Sequence, residues 1–78
     1  MKELVELIAK SLVDNPDRVQ VFQLDGEQRS IIELKVAPED MGKIIGKQGR
    51  IAEAIRIILD AAGMKLKRRF SLDLIEKG

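Results

Sequence analysis

The sequence predicts an α+β fold in the order helix-strand-strand-helix-helix-strand, with one three-stranded sheet and the helices packed on one face. Three observations predict it. Residues 30–36, "SIIELKV", alternate apolar and polar side chains after an Asp-Gly turn, which is the pattern of a half-buried strand in a hairpin. Residues 2–13 instead carry Leu4, Ile8 and Leu12 at spacing four, the period of an amphipathic helix. Between residues 41 and 62 two helical segments are broken by a glycine stretch, and a second alternating segment closes the chain. Helices segregated to one face of a mostly sequential sheet make an α+β layer architecture.

The first helix, 2–13, presents Leu4, Ile8 and Leu12 with Val5 and Leu7 beside them. It stops at "DNPD" (14–17), because Pro16 cannot continue a helix and Asn15 favours a turn. "RVQVFQL" (18–24) is rich in β-branched and aromatic residues and reads as the first strand. "DGEQR" (25–29) is the turn. In the second strand Ile32, Leu34 and Val36 point one way, Glu33 and Lys35 the other. "APEDMGKII" (37–45) opens as a loop, with Asp40 as N-cap of a short helix over Met41–Ile45. The next helix runs over 49–62 with Ile51, Ile55, Ile58, Leu59 and Ala62 on one stripe, and Gly63 is its expected C-cap. Residues 65–76 form the last strand, where Phe70, Leu72 and Leu74 alternate against Ser71 and Asp73.

At 78 residues the chain is read as a single domain over 1–78, and a domain of this size buries only about 60% of its unfolded surface. Without cysteine it has no disulfide, and a small core of this kind favours a partner subunit. Cysteine and histidine are both absent, which removes the usual zinc ligands, and no metal or other cofactor is expected. No apolar run approaches the roughly 18 residues of a membrane span. Glutamates interrupt the start, "MKELVELIAK", so it does not read as a signal peptide and the cytoplasm is the expected location.

The net charge of +1 conceals two unequal halves. Residues 1–40 hold five Lys/Arg against nine Asp/Glu, and residues 41–78 hold nine against four. The basic half begins at "MGKIIGKQGR" (41–50). A basic face on a nearly neutral domain suits an anion such as a phosphate backbone, although a solvated surface has the same composition. A P-loop requires G-x-x-x-x-G-K-[ST]; here Gly42 and Gly46 are one residue too close, and Gln48 stands where Ser or Thr would hold magnesium. The dinucleotide fingerprint requires G-x-G-x-x-G after a strand, and only G-x-x-G is present, after a helix. What remains is a G-x-x-G loop between two helices, the clamp that KH domains place on four nucleotides.

The run "IIGKQGRIAEAI" (44–55) resembles the KH signature of two apolar residues, G-x-x-G, then apolar positions on the following helix. The element order resembles the type II KH fold. With the chain length and the "GKQGR" loop, the whole is similar to the bacterial stand-alone KH proteins of the KhpA-like family, which are RNA-binding and are understood to pair. The resemblance implies a single-stranded RNA-binding site made of Lys43, Ile45, Gly46, Lys47, Gln48, Gly49, Arg50 and Ala52. Ala52 stands at the third position after the second glycine, where many KH domains carry a larger aliphatic residue. The implied function is RNA chaperone or post-transcriptional regulator, with a homodimer, or a heterodimer with another KH-containing protein, as its assembly.

The chemistry of the loop supports this independently. Gly46 and Gly49 lack side chains, so a sugar-phosphate backbone can approach closely. Gly49 opens a helix whose free N–H groups and positive dipole end attract phosphate. Lys43, Lys47 and Arg50 add charge there, and Gln48 can donate to a phosphate or sugar oxygen. Ile44, Ile45 and Ile55 fit the core or a groove for bases. "KLKRR" (65–69) fits a solvated strand end or a binding surface. Only Phe22 and Phe70 are aromatic, so no stacking platform exists. An alternative reading is a protein–protein adaptor, because Ala54, Ile57 and Ala61 form a second apolar stripe. Neither a catalytic constellation nor a pair of carboxylates accompanies the glycines, so no enzyme is expected.

Overall fold

The computed structural model describes residues 1–76. Its elements are α1 (Lys2–Leu12), β1 (Gln20–Asp25), β2 (Arg29–Val36), α2 (Met41–Ile45), α3 (Arg50–Leu66) and β3 (Arg69–Glu76). Short 3-10 turns stand at Pro16–Arg18, Pro38–Asp40 and Lys47–Gly49. The order is the one the periodicities predict. β1 and β2 pair antiparallel, and β3 adds parallel to β2 on its other side. A parallel pair needs a crossover, which α2 and α3 supply.

The period-two pattern decides the faces. Val21 sits opposite Leu34, Ile32 opposite Leu72, and Ser30 opposite Phe70. All six are buried, and α1 and α3 cover this face. Phe22, on the other face, is exposed, with the Lys35 Nζ 5.2 Å from its ring centroid. The α1 stripe is rotated from the predicted one. Val5 and Ala9 are fully buried, Ile8 and Leu12 pack at the core's margin, and Leu4 and Leu7 are exposed. A single short helix meets the sheet along a line, so a ring of five apolar residues contributes only one side.

The largest departure is at the end of α3. The helix does not stop at Ala62; it continues to Leu66, and β3 starts at Arg69 rather than at 65. Gly63 is not a cap. It is buried in the helix, and a Cβ there would run into the Arg68 carbonyl oxygen and lie 3.3 Å from the Phe70 ring. Glycine is needed because the returning β3 backbone passes against the helix. The cap is Lys67, in the left-handed region at φ 56°, ψ 43°, followed by a bond from the Arg68 N–H to the Gly63 carbonyl at 2.9 Å. Ile58, predicted for the core stripe, is 44% exposed; the buried line of α3 runs through Ala52, Ile55, Leu59 and Gly63 instead.

Within the basic run 65–69, Arg68 has a structural task. Its Nε donates to Ser30 Oγ (3.0 Å), Nη1 to the Glu27 carbonyl (3.2 Å), and Nη2 to the carbonyls of Gly26 (2.5 Å) and Arg29 (3.2 Å). Ser30 Oγ in turn donates to Asp25 Oδ1 at 2.6 Å. One guanidinium thus satisfies the carbonyls of the β1–β2 turn and fastens the start of β3 to it. Among the described residues no helix is long and apolar enough to cross a membrane, and no group of three or more acidic, Cys or His side chains could hold a metal ion.

Candidate nucleic-acid interface

The site is built from α2 upward. Asp40 occupies the residue before α2, as predicted, but its carboxylate does not cap that helix. It reaches back to the turn after α1. There Oδ1 accepts from the Asp14 N–H (3.2 Å) and Oδ2 from the Asn15 N–H and Nδ2 (both 3.0 Å). Asp40 is fully buried, so this carboxylate locks the α1–β1 connection to the base of α2. Burial pushes its pKa up, but the bonds from Asn15 and Asp14 and the nearby Lys43 charge outweigh this and hold it below the ordinary carboxylate value. A carboxyl depressed on folding stabilises the fold above its unfolded pKa, and that contribution is lost as pH falls through the folded value. Thermal stability should therefore decline on acidification below about pH 4, and a melting series for Asp40→Asn should show a shallower acid limb than the parent.

Lys43, one of the predicted RNA contacts, is partly engaged already. Its Nζ lies 3.1 Å from Asp14 Oδ2 and 3.8 Å from Asp40 Oδ1. The hydrogen bond to Asp14, followed by its charge, raises the lysine pKa, so Lys43 stays cationic. Its side chain is 43% exposed and can reach solvent from this position.

The chain leaves α2 at Gly46, with φ 77° and ψ 176°, a combination open essentially to glycine alone. A Cβ at Gly46 would lie 2.5 Å from Ile51 Cγ1 and 2.8 Å from its Cβ. Gln48 (φ 58°, ψ 26°) and Gly49 (φ 74°, ψ 12°) are both left-handed, so three of the four residues in "GKQG" have positive φ. Gly49 is the N-cap of α3 rather than its first residue, and no side chain caps that end. A methyl group at Gly49 would meet nothing within 4 Å.

Lys47 and Gln48 are exposed, and Lys47 forms no ion pair among the described residues. The Arg50 Nη2 donates to Gln48 Oε1 at 3.2 Å, which gathers these two side chains over the turn. Ile45 is 39% exposed at the edge of the loop, whereas Ile44, Ile55 and Ala52 are buried. Of the eight predicted site residues, then, seven are gathered at the surface of one turn and the end of α2, and Ala52 faces the interior. Chemically this is a loop without side-chain bulk at two positions, two cations beside it, an uncapped helix start and one accessible isoleucine. Such an arrangement accepts a phosphate backbone in close approach.

Residues 2–74 match the family described as "KhpA/KhpB, KH domain". The chain belongs to that family. Among similar curated proteins is "RNA-binding protein KhpA" of Clostridium acetobutylicum, 63% identical over 75 residues, 96% of this chain and all of the relative. The protein of the same name in Caldanaerobacter subterraneus subsp. tengcongensis shows the same identity and coverage. That of Aquifex aeolicus is 53% identical over 97% of this chain and 96% of its own length. No solved structure gives a significant match. These KhpA/KhpB-family relatives carry the name of RNA-binding proteins, not of enzymes. Within this member of the KH family, sequence reasoning missed Asp40 as the anchor of α2, since nothing local connects it with Asn15 across 25 residues.

Proposed function

We propose that this chain is a single KH domain over 1–78 that binds single-stranded RNA in the cytoplasm as an RNA chaperone or post-transcriptional regulator. The observation that carries the reading is the GKQG turn, with glycines at positive φ on both sides of exposed Lys47 and Gln48, leading into an uncapped α3. The strand's phosphates lie over Gly46, Lys47, Gln48, Gly49 and Arg50, and Lys43 and Ile45 meet the strand beside the turn; Ala52 lines the site from the interior side. With no aromatic platform, the grip is on the backbone, and affinity for one module is micromolar or weaker. The names of the relatives support an RNA ligand. Binding measured at several salt concentrations tests this. Each phosphate contact contributes about −0.7 to the log–log slope on a single strand. Lys47 and Arg50 alone give about −1.4, and Lys43, if it exchanges Asp14 for phosphate, brings the slope near −2.1. Binding that ignores salt would defeat the reading.

A second observation favours pairing with a second copy, or with another KH-containing chain. Ala54, Ile57 and Ala61 are exposed on α3, with Ile57 60% accessible, and the 44%-exposed Ile58 extends the patch. Ile57→Glu should leave the melt nearly unchanged and shift sedimentation toward the monomer. A parent protein that sediments as a monomer at high micromolar concentration rules out the homodimer.

A further inference from the structure

The end of α3 opposite the GKQG loop carries Lys65, Lys67, Arg68 and Arg69 within five residues. Arg68 is committed to the β1–β2 turn. The parallel register then sets Arg69 directly beside Arg29. Like charges in that relation are unfavourable, and neither guanidinium has an ion pair or side-chain hydrogen bond among the described residues. Lys67 is a third cation, held in a left-handed conformation that disfavours a side chain and where glycine is the usual cap. Arg29, Lys67 and Arg69 line one open groove of about 950 Å³, between the β1–β2 turn, the last turns of α3 and the start of β3. Met64, 82% exposed, offers it an apolar wall, and Asp60 is its one acidic lining residue.

Three elements thus bring three unpaired cations to one groove, a disposition that an anion would relieve. Two neighbouring guanidinium forks suit the oxygens of a phosphate. The groove also lies on the same side of the helix as the loop. Gly49, Glu53, Arg56, Asp60, Met64 and Lys67 follow one another at helical spacing, and Arg56 Nη2 donates to the Leu72 carbonyl at 3.4 Å, so this face borders β3. Along it Glu53, Arg56 and Asp60 alternate in sign, which leaves the positive charge concentrated at the two ends. The 17 residues of α3 separate those ends by about 25 Å.

We infer that this groove is a second phosphate-binding site, which holds the RNA strand already gripped at the GKQG loop and extends the footprint beyond the four nucleotides of that clamp. The inference rests on the RNA-binding reading above. Lys67→Gly/Arg69→Gln tests it, because glycine suits the left-handed cap and removes the cation without harming the fold. Affinity is measured for a four-nucleotide RNA and for one of about 12 nucleotides, within the usual span of single-strand-binding domains. The expected result is about tenfold weaker binding of the longer RNA, with a salt slope shallower by about 1.4. Affinity for the short RNA should be unchanged and the melting temperature should not fall. Asp60→Asn should act in the opposite sense and strengthen binding of the longer RNA. Unchanged affinity of the double variant for the longer RNA overturns the groove, as does an equal loss on both lengths. Parent protein that binds both lengths equally well overturns the groove alone; parent protein that binds neither overturns the RNA reading with it.

Discussion

Gly46→Ala should lower the melting temperature by roughly 8–48 °C, while Gly49→Ala lowers it by only about 4–8 °C. The two glycines have nearly the same φ, 77° and 74°, so the sequence motif and the first dihedral angle do not separate them. Their ψ angles and neighbours do. At ψ 176° Gly46 lies where other residues are strained by about 1–3 kcal/mol, and overpacking a filled space costs about 1–3 kcal/mol more. The obstacle at 2.8 Å is Ile51 Cβ, which is fixed to the α3 backbone and cannot rotate away. Gly49 is in the left-handed helical region with open space around it, so alanine there costs about 1 kcal/mol. Against a total stability of about 4–12 kcal/mol for a chain of this length, the first substitution removes a large fraction and the second a small one. Paired thermal melts decide the matter. Equal destabilisation would show that Ile51 does not support the turn.

Lys47→Asp/Gln48→Asp should reduce RNA affinity by at least about tenfold and barely move the melt. Both side chains are exposed, and substitutions at such positions usually change stability by less than about 0.5 kcal/mol. The backbone suits the change, because Gln48 already has φ 58° and aspartate tolerates the left-handed region better than most residues. Each new charge about 4 Å from a phosphate costs about 1 kcal/mol even at water's dielectric constant, and the lost lysine contact adds to that. Since 1.4 kcal/mol is a decade in Kd, tenfold is the lower bound. A merely structural turn would leave RNA binding intact in this variant, and an adaptor would keep its protein partner while showing negligible RNA affinity from the start. Measuring RNA binding and self-association on the same double variant separates these outcomes.

The geometry of the candidate site was legible in the sequence wherever its chemistry is local. Gly46, Lys47, Gln48, Gly49 and Arg50 are consecutive, so the loop's lack of bulk and its charge could be read directly. Lys43 was legible as a cation but not as one already held by Asp14, because that pairing depends on how the end of α1 packs against α2. Ile44 and Ile45 are identical neighbours in the sequence, yet the first is fully buried and the second 39% exposed. Helical geometry turns successive residues about 100° apart, and only packing decides which one faces inward. Arg68 and its neighbours in "KLKRR" show the same limit: one of four basic residues fastens the hairpin, and no composition rule selects it.

The sequence by itself determined the element order, the buried faces of β2 and β3, and the placement of a bare, cationic turn between two helices. Period-two alternation and turn-forming residues act over a few positions, so they are written where they operate. The tertiary structure decided where α3 ends, because Gly63 reads locally as a stop signal but is required for the close passage of the β3 backbone. It also decided that Asp40 anchors the α1–β1 turn rather than capping α2, that Val5 and Ala9 rather than Leu4 form the inner line of α1, and that Arg29 meets Arg69. Each of these depends on contact between residues distant along the chain, and such contacts arise only when the sheet and helices are packed together, where burial outweighs the weaker local preferences.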